Sequence, residues 1–186
     1  SDDNTQEIIR EFMSDIPGEL HEEPWVNFSH NRNHALNLAR GKAEYLLFID
    51  ADEEFILEDN FSMPNLDKDF YFIKSEYGAM EYQRLQLIHS DSHWHWHGKV
   101  HEVLTPHSMM KGGHLKGIKN FVRFEGCVSQ DPKAFKKDAS IFEAELRQNP
   151  EDTRSMFYLA QSYKDNKEFD KSILYYERRA IMGGWQ

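Results

Sequence analysis

The apolar positions of this chain change their spacing as it proceeds, and each change marks an element. Ile8, Ile9 and Phe12 share one side of a helical turn. They predict a helix from about Thr5 to Ser14, capped by Asn4 or Thr5 and broken at Pro17-Gly18. The stretch NFSHNRNHALNLARG predicts a second helix. Ser29 is its cap, Ala35, Leu36, Leu38 and Ala39 are its buried side, and Gly41 is its stop. From Glu44 to Ile49 the apolar run is nearly continuous, the pattern of a strand covered on both faces. Helix then buried strand is half of a parallel α/β unit. Phe55 to Asp69 reads as a polar loop around Pro64. DFYFIKSEY, QRLQLIH and KVHEVL read as strands, with GGHLKG as a turn-rich break.

From Pro132 onward the spacing is helical. Ala134 to Arg147 predicts a helix of alternating charge that ends at Asn149-Pro150. Met156, Leu159, Ala160 and Tyr163 then repeat at helical spacing. After an Asp165-Asn166 turn, Phe169, Ser172, Ile173, Tyr176 and Ala180 do the same. Small residues at 160, 172 and 180 with an aromatic at 163 resemble a tetratricopeptide repeat, where small side chains let two helices cross closely. The alternative is an ordinary helical hairpin. A single copy needs a neighbour to bury its open face, so the tail is a candidate surface for a protein partner.

Composition narrows the classes. The 186 residues suffice for one domain plus an appendage, and 39% hydrophobic with 13% aromatic content argues for a packed core rather than disorder. Cys127 is the one cysteine, so no disulfide forms within the chain, which fits a reducing compartment. No apolar run approaches the roughly 18 residues of a membrane span, and cytoplasmic localisation is expected. A net charge of -10 disfavours nucleic acid as a partner. Binding a phosphate would require a local cation.

The candidate chemistry lies in EYLLFIDADEEF. Ligands of open parallel sheets bind beyond the carboxyl ends of strands. Asp50 and Asp52 stand there, two apart, with small Ala51 between them. Such carboxylates suit Mg²⁺ or Mn²⁺, whose coordination is completed by phosphate oxygens. A metal held this way neutralises the charge that develops on a departing diphosphate. The competing reading is that Asp50, Asp52, Glu53 and Glu54 merely solvate a strand end.

The DAD run resembles the DXD motif of family 2 nucleotide-sugar-dependent glycosyltransferases with the GT-A fold. HNRNHALNLARGKAEYLLFIDADEE is similar to that family's Arg-Asn helix followed by its DXD strand. WHGKVHEVL resembles the VHE segment of a subgroup with a tetratricopeptide-like tail, and SDDNTQEIIREF resembles the helix after an earlier turn. The resemblance implies an α/β GT-A-like domain at 1–132, lacking its N-terminal βαβ portion and hence an intact donor site, with a helical tail at 133–186. It implies transfer, with inversion, from a nucleotide-diphosphate sugar, commonly a uridine diphosphate sugar, to a hydroxyl on a glycan, lipid or protein. By family position Asp50 and Asp52 hold the metal and diphosphate, Arg32 and Asn33 face the donor, and Arg84 contacts phosphate or acceptor. Glu102 is then the base, with His101 as its orienting neighbour. Where the family often has a further metal-binding histidine this chain has Phe124-Glu125-Gly126, so His114 or Glu125 is the candidate substitute.

Two rival readings remain open. His89, His93, His95, His97 and His101 are dense enough to suggest a histidine-bound metal in a hydrolase, although no helical HExxH pair accompanies them. Trp94 and Trp96 alternate with these histidines, either as core residues or as stacking platforms for an acceptor sugar. The second rival is a catalytically incomplete scaffold of glycosyltransferase origin, in which the tail binds another chain.

Overall fold

A computed structural model describes residues 3–123, 131 and 133–184. Glu125 and Cys127 lie outside them. The elements are α1 (Thr5–Phe12), α2 (Phe28–Ala39), β1 (Tyr45–Leu47), β2 (Glu53–Leu57), β3 (Phe70–Tyr77), β4 (Met80–His89), β5 (Trp94–His97), β6 (Val103–Pro106), β7 (Gly112–Val122), α3 (Ala134–Gln148), α4 (Thr153–Asp165) and α5 (Phe169–Ile181).

One five-stranded sheet runs in the order β1-β4-β3-β7-β2, and β5 pairs with β6 in a separate ribbon. The central sheet is mixed. β3 and β7 are parallel, whereas β1 with β4, β3 with β4 and β2 with β7 are antiparallel. The sheet is curled. In a flat sheet β4 and β2 would stand three spacings apart, about 14 Å, yet Gln86 Nε2 of β4 reaches Glu53 Oε2 of β2 at 3.4 Å. The short link Phe48–Asp52 draws the two edge strands toward each other. This mixed α/β arrangement is consistent with a GT-A-like fold.

Several expectations are corrected. The run around Leu46 is a short edge strand, paired antiparallel rather than parallel, and its Leu47 is exposed. The expected loop from Phe55 to Asp69 begins inside β2, whose last residues are Phe55 to Leu57, and the expected break at GGHLKG is the first half of β7. The strand expected over KVHEVL starts only at Val103. Asn27, not Ser29, caps α2 by accepting the His30 N–H at 2.9 Å. On α2 only Leu36 is fully buried.

Three apolar clusters result among the described residues. Leu36, Leu46, Ile88, Trp94, Trp96 and Leu104 join α2 to the sheet and the ribbon. Tyr71, Ile73, Leu87, Leu115 and Ile118 fill the opposite sheet face. Val100, Ala139, Phe142, Leu159 and Tyr163 fasten the helical tail to the loop between β5 and β6. In the tail α4 packs against both α3 and α5, and Met156, Leu159, Ala160 and Tyr163 are buried as their spacing predicts. The α5 stripe differs: Ser172 is buried, but Phe169 and Ile173 face outward. No described helix is long and apolar enough to cross a membrane.

Candidate active site

Asp50 stands just past β1, where the chain turns into β2. The turn is closed by the Glu53 N–H donating to the Asp50 carbonyl at 3.1 Å, and by the Asp50 N–H donating to Glu53 Oε2 at 3.0 Å. This aims the Asp50 carboxylate at two arginines. Arg32 Nη2 lies 2.7 Å from Oδ1 and 2.9 Å from Oδ2. Arg84 Nη2 donates to Oδ2 at 2.8 Å. Each arginine holds a second carboxylate: Arg32 Nε donates to Glu102 Oε1 at 2.6 Å, and Arg84 Nη1 donates to Glu53 Oε1. The Arg32 guanidinium also lies over the Trp96 ring, 5.0 Å from its centroid.

The helix, both sheet edges and the β5–β6 loop thus converge on one network of Arg32, Arg84, Asp50, Glu53 and Glu102. Its members are sheltered; the Glu53 side chain is 2% exposed and that of Glu102 13%. Burial alone would raise the Asp50 carboxyl, but hydrogen bonds and charge from both arginines outweigh it and hold Asp50 below the usual carboxylate range. Burial likewise opposes the charge on Arg32 and Arg84, and their carboxylate partners reverse that, so both stay protonated.

Asp52 behaves differently. Its carbonyl accepts the Arg123 N–H at 2.9 Å, while its carboxylate has no partner among the described residues. It is the free acid of the pair, and Asp50 is the bound one.

Other expected site residues fall elsewhere. Asn33 uses its side-chain amide on the backbone of β5, accepting the Trp96 N–H at 2.8 Å and donating to the Trp96 carbonyl at 2.9 Å. It docks the ribbon on α2. Trp94 and Trp96 are 1% and 6% exposed, so both are core residues and neither can stack on an acceptor sugar. His114 contacts Gln83 and the Phe72 ring on one sheet face, while adjacent Arg84 points to the other face, where it binds Asp50. His114 therefore does not share a metal with Asp50. His95 and His97 approach to 4.7 Å between ring centroids on the outward face of β5, but no group of three or more metal-ligating residues occurs among the described residues.

Glu102 and His101 diverge. Glu102 faces Arg32, whereas the His101 ring turns to the tail and stacks on Tyr158 at 4.5 Å. Sequence reasoning missed the part played by Glu53, which entered only the competing reading of a solvated strand end, and gave no role to Arg154 or Tyr158.

A search of curated proteins finds no match to the chain. The model of the family described as Glycosyl transferase family 2 matches residues 1–59, the stretch that supplies Arg32, Asp50, Asp52 and Glu53. That match supports a family 2 glycosyltransferase-like domain in this part of the chain.

Proposed function

We propose that this protein transfers a sugar from a nucleotide-diphosphate donor to an acceptor hydroxyl. One observation carries the reading: Arg32, inside the family-matched stretch, joins Asp50 of the DAD run to Glu102 of the VHE segment, which lies beyond that stretch. In the proposed reaction the acceptor oxygen attacks the anomeric carbon while Glu102 takes its proton. The bond from that carbon to the phosphate oxygen breaks, and its electron pair leaves with the nucleoside diphosphate. Arg32 and Arg84 supply fixed positive charge beside the departing phosphate. The family likeness favours a uridine diphosphate donor and inversion.

Charge argues that a cation accompanies the donor. Arg32 and Arg84 already face three carboxylates, so a diphosphate alone would enter a site with no spare positive charge. The carboxylate of Asp52, which has no partner among the described residues, fits Mg²⁺ or Mn²⁺ arriving with the diphosphate, since such ions use one or two carboxylates and complete their coordination with phosphate and water. When bound, the metal would neutralise the leaving group. Asp50, committed to two arginines, would orient the donor.

Calorimetric titration of uridine diphosphate with and without Mn²⁺, on the native chain and on Asp52→Asn, tests this. Binding that needs both the metal and Asp52 is expected. Its absence would overturn the reading in favour of a scaffold. Zinc binding without nucleotide that is lost when His95 and His97 are replaced would point to the hydrolase.

A further inference from the structure

The loop between β5 and β6 carries Glu102, and the helical tail grips it from behind. Gly98 has φ 94, and a Cβ there would lie 2.8 Å from Nη1 of Arg154. Only glycine lets the guanidinium come so close. Arg154 Nη2 then donates to two successive carbonyls, that of Val100 at 3.4 Å and that of His101. The same guanidinium lies 4.8 Å from the centroid of the Tyr158 ring. Tyr158 in turn stacks on His101 at an interplanar angle of 6°, and the Phe142 ring lies beside the pair, 6.1 Å from His101 and 5.8 Å from Tyr158. Val100 is buried among Ala139, Phe142, Leu159 and Tyr163. His101 has φ 50, a left-handed conformation that a β-carbon-bearing residue keeps only where its surroundings impose it. Here α3 and α4 impose it, and the next residue is turned toward Arg32.

We propose that Arg154 and Tyr158 are positioning residues of the site. By holding the carbonyls of Val100 and His101 and the ring of His101, α4 aims the Glu102 carboxylate. The tail is thus part of the catalytic apparatus rather than an appendage to it. The catalytic half of this claim rests on the reading of Glu102 as the base; the geometric half does not.

The test has two arms. The first needs no activity. A double-mutant cycle of Arg32→Met and Glu102→Gln, measured by urea unfolding, is run in the native background and again with Arg154→Lys and with Tyr158→Leu. Coupling between Arg32 and Glu102 is expected to fall at least threefold, as a ratio of unfolding equilibrium constants, in both backgrounds, and to persist in Tyr158→Phe, which keeps the stack. Unchanged coupling overturns the proposal. The second arm follows release of uridine diphosphate from uridine diphosphate glucose. Arg154→Lys and Tyr158→Leu are expected to lower kcat at least tenfold while the calorimetric Kd for uridine diphosphate with Mn²⁺ stays within twofold. Arg178→Ala, which removes a similar cation–ring contact on α5 remote from the loop, leaves both unchanged. A parallel loss of kcat and donor affinity, or equal damage from Arg178→Ala, would reduce the tail to general support and overturn the proposal. Lost coupling in a chain that never turns over the donor would instead sink the transferase reading and leave the positioning role standing.

Discussion

Arg32 Nε and Glu102 Oε1 meet at 2.6 Å across 70 residues of sequence, and the same guanidinium binds Asp50. One planar side chain therefore fixes the distance between the proposed base and the DAD run. Lysine has a single point of charge and cannot serve two carboxylates at such angles. Arg32→Lys is expected to lower uridine diphosphate affinity about tenfold. Arg32→Met, which leaves Glu102 without its arginine and Asp50 with Arg84 alone, is expected to cost roughly 2–4 kcal/mol of unfolding free energy. Calorimetry and urea denaturation check the two values.

Glu53 is nearly solvent-free and takes bonds from Arg84, Gln86 and the Asp50 N–H. Removing it takes the partner from Nη1 of a sheltered guanidinium and from the turn amide together. Glu53→Ala is expected to destabilise by about 3–5 kcal/mol, visible as a large fall in Tm. Glu54, on the outward side of β2 and paired only with exposed Arg123 at 2.5 Å in the described structure, serves as the contrast. Glu54→Ala is expected within about 1 kcal/mol of native.

Asp52 separates binding from stability. With no side-chain partner to lose among the described residues, Asp52→Asn is expected to unfold within about 0.5 kcal/mol of the native chain. Its Mn²⁺-dependent affinity for uridine diphosphate is expected to drop at least tenfold. A destabilised variant would show that the carboxylate is structural.

His101 gives a pH signature. Burial holds its imidazole below the ordinary value of 6.5, Asp138 at 3.8 Å pulls the other way, and Arg154 adds to the depression. The unfolded chain thus takes up this proton first, and stability falls as pH drops below about 6.5 toward the folded value. Asp138 is raised by burial against the pull of His101, so it acts in the opposite sense, adding stability as pH falls toward its ordinary 3.8. His101→Phe keeps an aromatic ring for the stack and removes the titration. The difference in unfolding free energy between pH 7 and 5.5 is expected to be smaller in the variant, as read by urea midpoints.

Much of the site's address was legible in sequence. The apolar run into Asp50 places that residue at a strand end, and helical spacing places Arg32 on α2 beside it. What sequence could not show was which carboxylate is free, because that depends on Arg84, brought in from β4 by the curl of the sheet. Glu53 was illegible for the same reason: a charged residue at a strand start looks solvated until arginine and glutamine from across the sheet bury it. Gly112 and Gly113 resemble a turn in sequence. In the fold a Cβ on Gly113 would lie 2.9 Å from the Tyr71 ring, so this glycine gives a neighbouring aromatic room within β7. Trp94 and Trp96 alternate with polar residues, and alternation shows which side of a strand is apolar without showing whether a core or a ligand covers it.

The grip of α4 on the Gly98–His101 loop also orders events during synthesis. Chains fold as they emerge, N-terminal parts first, at about 5–20 residues per second. The acidic strand end can assemble once β7, which joins β2 to β3, has left the ribosome. The loop that bears Glu102 must wait for Arg154 and Tyr158. The nascent chain therefore spends several seconds with its acidic strand end assembled and its last carboxylate unaimed, and the site closes only when the helical tail arrives.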